Sequence, residues 1–242
     1  ISGRYISRSS SAHAIISLST SSIMTKDQPL LRLCAKLRAF FHKPFFSNPR
    51  TLFGLWTLLA VVAGVTKIAP HRHNNFLIFR GVFWHTIQKL SLYDFYPTEY
   101  NDHNHYGPIF SLVIAPFAVV PDAIGLLAWL VVLALGMYYA VRRLPLEEGR
   151  QIFLYWFCAH ELLTALQMQQ FNIAIAAIII GSFAAIEKGR EVTAAFLIVL
   201  GTFVKLYGIV GLAFFFFVKR KPRFILALIG CCLLYTSDAA DE

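Results

Sequence analysis

The chain has 242 residues, 57% of them hydrophobic and only 14% charged, against roughly 25% charged in an ordinary soluble domain. A surface of this composition cannot be solvated by water, which excludes a soluble globular protein and points to helices in lipid. The net charge of +9 does not indicate a nucleic-acid partner, because the Lys and Arg residues stand in short clusters beside apolar segments and not along one amphipathic face.

The first 23 residues are Ser-rich and precede the first methionine, Met24. They read as a non-native or untranslated leader outside the fold. Residues 24–50 carry Lys26, Arg32, Lys36, Arg38, Lys43 and Arg50 against one acid, Asp27, and the excess of positive charge places them in the cytoplasm. A first span is expected from Thr51 to Ala69. Residues 70–121 then form a long loop on the non-cytoplasmic side. Within it Gly107 to Val120 is apolar but short, holds Pro108 and Pro116, and is closed by Pro121. It is therefore expected as a juxtamembrane or re-entrant helix, and Asp122 to Val141 as the next span.

Arg142, Arg143 and Arg150 return the chain to the cytoplasm. Gln151 to Ala165 is expected to cross outward, with a turn at LQMQQFN, and Ile173 to Ile186 to cross back to EKGRE. Val192 to Val204 crosses outward again, and Gly208 to Val218 returns to the basic KRKPR at 219–223. A last span starts near Phe224. The domain proper is thus 51–232, and LLYTSDAADE, running into 233–242, reads as a read-through tail. Cys34, Cys158, Cys231 and Cys232 show neither disulfide nor metal spacing and read as packing residues.

This alternation brings three polar groups to one side of the membrane. The loop supplies Asn74, Asn75, Asp94, Glu99, Asp102, His103 and His105; the turn between spans supplies Gln169, Gln170 and Asn172; a helix end supplies Lys205. Ionisable groups at membrane depth are costly and mark function. A carboxylate from the loop suits general-base work on a hydroxyl. Lys205, Arg72 and Arg80 suit an anionic leaving group, Lys as a point charge and Arg as a bidentate clamp.

His71 and His73, with Asp102 to His105, have the alternation that places metal ligands on one face of a strand. No third cluster joins them, and no metal or cofactor is expected. His160 and Glu161 interrupt an apolar helix, where they either face a cavity, with His160 as a second acid or base, or bridge two spans. Tyr93, Phe95, Tyr96, Tyr100 and Tyr106 fit an interfacial aromatic belt or a sugar-stacking surface equally.

The long loop followed by Tyr106-Gly107-Pro108, then Gln169-Gln170-Phe171-Asn172 opening a later helix, then a small-residue helix ending Val204-Lys205-Leu206-Tyr207-Gly208 before a basic run, resembles glycosyltransferase family 87. The resemblance covers about residues 50–230. It implies a GT-C fold: an all-α polytopic membrane bundle with a long first non-cytoplasmic loop containing juxtamembrane helices. It further implies a metal-independent, inverting transfer of a sugar, mannose in the family's pattern, from a polyprenyl-phosphate donor to a glycan or glycolipid acceptor.

The lipid bilayer is then a partner, and the setting a multi-pass protein of a bacterial inner membrane. The chain departs from the family pattern at Asn74-Asn75, where an Asp is usual and where an amide takes no proton. The base is accordingly assigned to Asp102, with Glu99 second. Lys205 carries over as the phosphate contact. Asn75, Arg80, Tyr106, Gln170 and Asn172 are assigned to substrate binding. Two other classes share the composition. A transporter needs acids on several spans, where only Glu161 stands, and a non-catalytic assembly subunit needs the loop only to bind a partner.

Overall fold

The structure, a computed structural model, describes residues 28–41, 43–69 and 72–240, and every secondary-structure element among them is a helix. The leader, Met24, Lys26, Asp27 and His71 lie outside the described residues. Two units are distinguished. The first contains α1 (Gln28–Phe41) and α2 (Pro44–Ser47). In α1, Leu30, Leu31, Leu33 and Leu37 are exposed among the basic residues, a pattern suited to lying in a membrane interface.

The second unit, from Pro49 onward, is a bundle. Its α3 (Pro49–Ile68) and α6 (Asp122–Arg142) are long and apolar enough to cross a membrane; at 1.5 Å per residue each measures about 30 Å. They run antiparallel. Tyr138 Oη donates to the Pro49 carbonyl (3.1 Å) at one end, and at the other a Cβ added to Gly64 would stand 3.0 Å from Leu127 Cδ1. The first is called below the basic end and the second the loop end.

From the basic end α7 (Glu148–Phe157) and α8 (Ala159–Gln167) run toward the loop end. They replace the single helix expected over Gln151 to Ala165 with two, broken at Cys158. Tyr155 fastens this pair: its carbonyl accepts from Trp56 Nε1 (3.2 Å) and its hydroxyl donates to the Tyr138 carbonyl (2.8 Å). The rings of Trp56, Tyr138 and Tyr155 pack on one another around these bonds. Such pairing satisfies the polar tips of aromatic groups that are otherwise costly to bury.

Next come α9 (Asn172–Glu187) and α10 (Glu191–Val204), then a 3-10 helix over Leu206–Phe217 and α11 (Lys221–Ala240). Runs of 3-10 beyond three or four residues are uncommon, and glycine explains this one. Cβ atoms at Gly208 would collide with the backbone of Gly201 and Thr202, and one at Gly211 would stand 2.7 Å from Ile198 Cγ1. The segment therefore lies backbone to backbone against α10. A 3-10 helix also rises about 2.0 Å per residue, so these 12 residues cover about 24 Å, more than the 14 residues of α10 cover as an α-helix.

At the loop end α4 (Asn74–Gln88) and the short α5 (Phe110–Ala118) pack against each other. With nine residues α5 reaches only about 14 Å, too short to cross. Beneath them lies an aromatic core: Phe79, Tyr106, Phe110, Trp129 and Phe171, with Tyr106 stacked on Phe110 (4.6 Å between centroids) and Trp129 on Phe171 (5.8 Å). Removing one such ring to Ala costs about 3–5 kcal/mol, which makes this core a rigid floor for the groups above it.

Candidate functional site

Lys205 occupies the break between α10 and the 3-10 helix, where its backbone turns extended (φ −152°, ψ 125°). Its Nζ donates to Asn172 Oδ1 (2.9 Å) and lies over the rings of Tyr106 (5.3 Å) and Tyr207 (5.2 Å). Asn172 Nδ2 in turn donates to Gln170 Oε1 (3.1 Å). Partial burial lowers the Lys205 pKa below the ordinary lysine value, because low-dielectric surroundings penalise the charged form. Among the described residues the partners of the ammonium are neutral. The expected grouping of Tyr106, Gln170, Asn172 and Lys205 is thus present, and it rests on the aromatic floor.

Tyr106 is fixed from both sides of the chain. Asn104, buried in the loop, accepts from the Tyr106 amide (3.0 Å) and donates to its carbonyl (3.0 Å). Gly107 N–H donates to the Val204 carbonyl (3.3 Å), and a Cβ at Gly107 would collide with the Phe203 carbonyl oxygen. Only glycine permits this approach, which explains Tyr-Gly-Pro physically: the loop is pinned to the end of α10, one residue from Lys205. Burial raises the Tyr106 pKa to about 12, and a backbone hydrogen bond at Phe171 offsets part of the rise. The phenol therefore stays neutral.

The start of α4 joins the same end. Asn75 Nδ2 donates to the Met168 carbonyl (2.8 Å), and Asn74 Oδ1 accepts from the Asn101 amide (2.8 Å). A carboxylate at 75 has no hydrogen to give Met168, so the Asn75 amide serves a hydrogen bond of this fold. Gln169 completes the joint. It is buried, sits in the left-handed region (φ 53°), accepts from the Phe76 amide (3.1 Å) and donates to the Arg72 carbonyl (3.1 Å). The left-handed backbone costs about 1 kcal/mol or more for a residue with a Cβ, and the two buried bonds offset that cost. Gln170 and Asn172 face the lysine; Gln169 holds the turn that presents them.

Asp102 is exposed and accepts from the adjacent His103 amide (2.7 Å). It is bracketed by the tie of Asn101 to Asn74 and that of Gly107 to Val204, both at the loop end. Glu99 lies elsewhere. Its Oε2 is 3.1 Å from Nε2 of the buried His85, whose ring packs on Tyr96 (4.0 Å). His85 stands 11 residues, about 16 Å, along α4 from Asn74, so the two carboxylates serve different places. His85 was not singled out in the sequence, because its partner Glu99 lies 14 residues on and no spacing pattern links the two.

Two expected contacts are engaged differently. Arg80 Nη1 pairs with Asp122 Oδ1, and its Nε donates to the Ala118 carbonyl (2.9 Å); it ties α4 to the start of α6 and is no open phosphate clamp. His160 is exposed, its ring 3.7 Å from exposed Glu161 and its carbonyl accepting from the Thr164 hydroxyl (3.1 Å). Asp102 lies in a bend and residues 103–105 are irregular, with His103 stacked on Phe95 (5.1 Å). No set of three or more His, Cys, Asp or Glu side chains placed to hold a metal ion occurs among the described residues.

In comparisons with known proteins, the model of Glycosyltransferase family 87 matches residues 104–237, more than half of the chain. The match contains the Tyr106, Gln170–Asn172 and Lys205 elements and leaves Asn75, Arg80, Glu99 and Asp102 before its start. No curated protein and no solved structure matches the chain.

Proposed function

We propose a specific reaction for this chain, which belongs to glycosyltransferase family 87 and is therefore a glycosyltransferase. The chain is a polytopic GT-C-type enzyme whose loop end faces the non-cytoplasmic side, and whose donor is a polyprenyl-phosphate sugar, with mannose as the sugar moved. The acceptor is a glycan or glycolipid hydroxyl. The observation that carries this reading is the Lys205 ammonium, partly buried beside Asn172, Tyr106 and Tyr207 and, among the described residues, in no ion pair with a carboxylate. A partly buried cation with neutral partners retains attraction for an anion, and a phosphate leaving group supplies one.

In this scheme the acceptor hydroxyl attacks the anomeric carbon as the bond from that carbon to the phosphate oxygen breaks. Asp102 takes the hydroxyl proton, and the phosphate departs with the bonding electron pair. Lys205 stabilises the developing charge, which is where a preorganised cation contributes most. Asn172 and Gln170 hold the lysine in place, and Tyr106 offers a neutral face and hydroxyl beside it. Glu99, paired with His85, is the second carboxylate of the loop and suits acceptor binding better than proton removal at Lys205.

The test is turnover of a polyprenyl-phosphate sugar by purified full chain and by Asp102→Asn. Loss of general-base function costs about 10²–10⁴-fold, with helix content and thermal unfolding unchanged because Asp102 bonds only its neighbour's amide. Turnover unaffected by Asp102→Asn but lost in Glu99→Gln would move the base to Glu99. Turnover unaffected by both would remove Asp102 and Glu99 from the chemistry.

A further inference from the structure

A second feature runs along the bundle from the aromatic floor at the loop end, where Trp129, Phe171 and Val204 line it, to the basic end. A groove of about 510 Å³ runs between α6, α9 and α10. Its floor is made by small residues of α9, Ala174, Ala177 and Gly181, with Val132 and Leu197 on the sides. From Ala174 to Lys188 the wall of α9 extends about 21 Å, more than the roughly 15 Å of one hydrocarbon leaflet. At the basic end the lining changes to Arg143, Lys188 and Arg190.

These three side chains are exposed. Among the described residues none of them pairs with a carboxylate; the ion pairs are those of Arg80, His85, Arg150 and His160. Of the acids nearest in sequence, Glu147 is exposed and pairs with Arg150, Glu148 and Glu187 are exposed, Glu191 is buried at the start of α10, and none of the four lines the groove. An apolar channel ending in three unneutralised cations is complementary to an anionic head on an apolar chain.

We propose that this groove binds an anionic phospholipid, one acyl chain lying along α9 and the phosphate held by Arg143, Lys188 and Arg190. The proposal rests on the membrane placement given above and is independent of the sugar chemistry, since the cations stand at the other end of the bundle from Lys205. Each Lys or Arg near an anionic surface contributes about 1 kcal/mol, or roughly fivefold in affinity.

Native mass spectrometry of the purified full chain, exchanged into detergent with phosphatidylglycerol or with phosphatidylcholine of the same chains, reads lipid retention without any need for turnover. The expected result is selective retention of phosphatidylglycerol, falling about fivefold for each of R143Q, K188Q and R190Q. Gly136→Leu tests the channel separately. Gly136 lines the groove and a Cβ there meets nothing within 4 Å, so the substitution fills the channel without disturbing the helices or the charge. It is expected to reduce phosphatidylglycerol retention with all three cations in place.

Equal retention of both lipids by the unsubstituted chain, or no bound lipid at all, as when a protein segment occupies the groove, overturns the proposal. So does retention unaffected by Gly136→Leu, or displacement of the lipid by soluble glycerol phosphate at comparable concentration, either of which would reduce the site to surface charge. Lipid retention with no sugar transfer would leave this proposal standing and remove the transferase scheme; the reverse result would separate them the other way.

Discussion

Arg80 and Lys205 are two cations at the same end of one bundle, both expected to meet a phosphate, and the fold treats them oppositely. Arg80, at the junction of α4 with α6, is given a carboxylate, Asp122, and a carbonyl, Ala118. Its charge is used up inside the protein. Lys205, at the junction of α10 with the 3-10 helix, is given an amide oxygen and two aromatic faces. Those partners orient the ammonium and leave its net charge intact. What separates a structural cation from one held for a ligand is thus less its burial than the charge of what holds it.

The largest effect that would test this difference is expected from Lys205→Met, which keeps the length of the side chain and removes the charge. Loss of one preorganised charge partner of a leaving group costs about 10²–10³-fold in kcat. The pH profile supplies the second half of the test. Because burial lowers the Lys205 pKa, the ammonium is lost as pH rises through a value below that of ordinary lysine, and turnover should fall there. The sign for stability is the reverse. The folded state gives up this proton before the unfolded state does, so stability from this group rises over the same window. A fall in rate with no fall in thermal midpoint is therefore the signature, and Lys205→Arg should abolish that alkaline fall because guanidinium stays charged.

A direct conversion of one kind of cation into the other comes next. Asn172→Asp gives Lys205 the carboxylate that Arg80 already has. The expected result is at least a tenfold loss of turnover, exceeding that of Asn172→Ala, which only frees the ammonium from one of its holders. If the aspartate variant were as active as the native enzyme, the neutrality of the partners would have no bearing on function. Steady-state turnover of the three proteins at saturating donor decides between these outcomes.

How far the site was legible in the sequence follows from the range of the interactions. Lys205 and Asn172 were picked out because the alternation of apolar helices and basic clusters puts them on one side of the bundle, and that alternation is written in composition; Tyr106 was picked out by the Tyr-Gly-Pro element of the family resemblance. The short α5 was legible from its prolines. Gln169 was passed over in favour of Gln170 because its role depends on a left-handed backbone and on bonds to Arg72 and Phe76, more than 90 residues away. The Arg80 ion pair was hidden for a similar reason: its partner Asp122 lies 42 residues on, at the start of what the sequence marks as a separate span. The 3-10 helix is the other such case. Its glycines are visible, but the contact that needs them, Gly208 against Gly201, exists only once the chain has folded back on α10.

The smallest effect is expected at Arg80, and it should fall on stability, not on chemistry. Arg80→Met leaves Asp122 beside the start of α6, where the helix dipole still favours a negative charge, and leaves the Ala118 carbonyl without its donor. Removing one partner of a fully buried pair costs about 3–5 kcal/mol, but both side chains here are about a third exposed and water screens them. The loss is therefore expected nearer 1–2 kcal/mol, seen as a lower thermal midpoint of the detergent-purified protein, with kcat per folded molecule within a few-fold of native. A collapse of kcat at an unchanged midpoint would put Arg80 in the same class as Lys205 and would mean that Asp122 releases it when the donor binds.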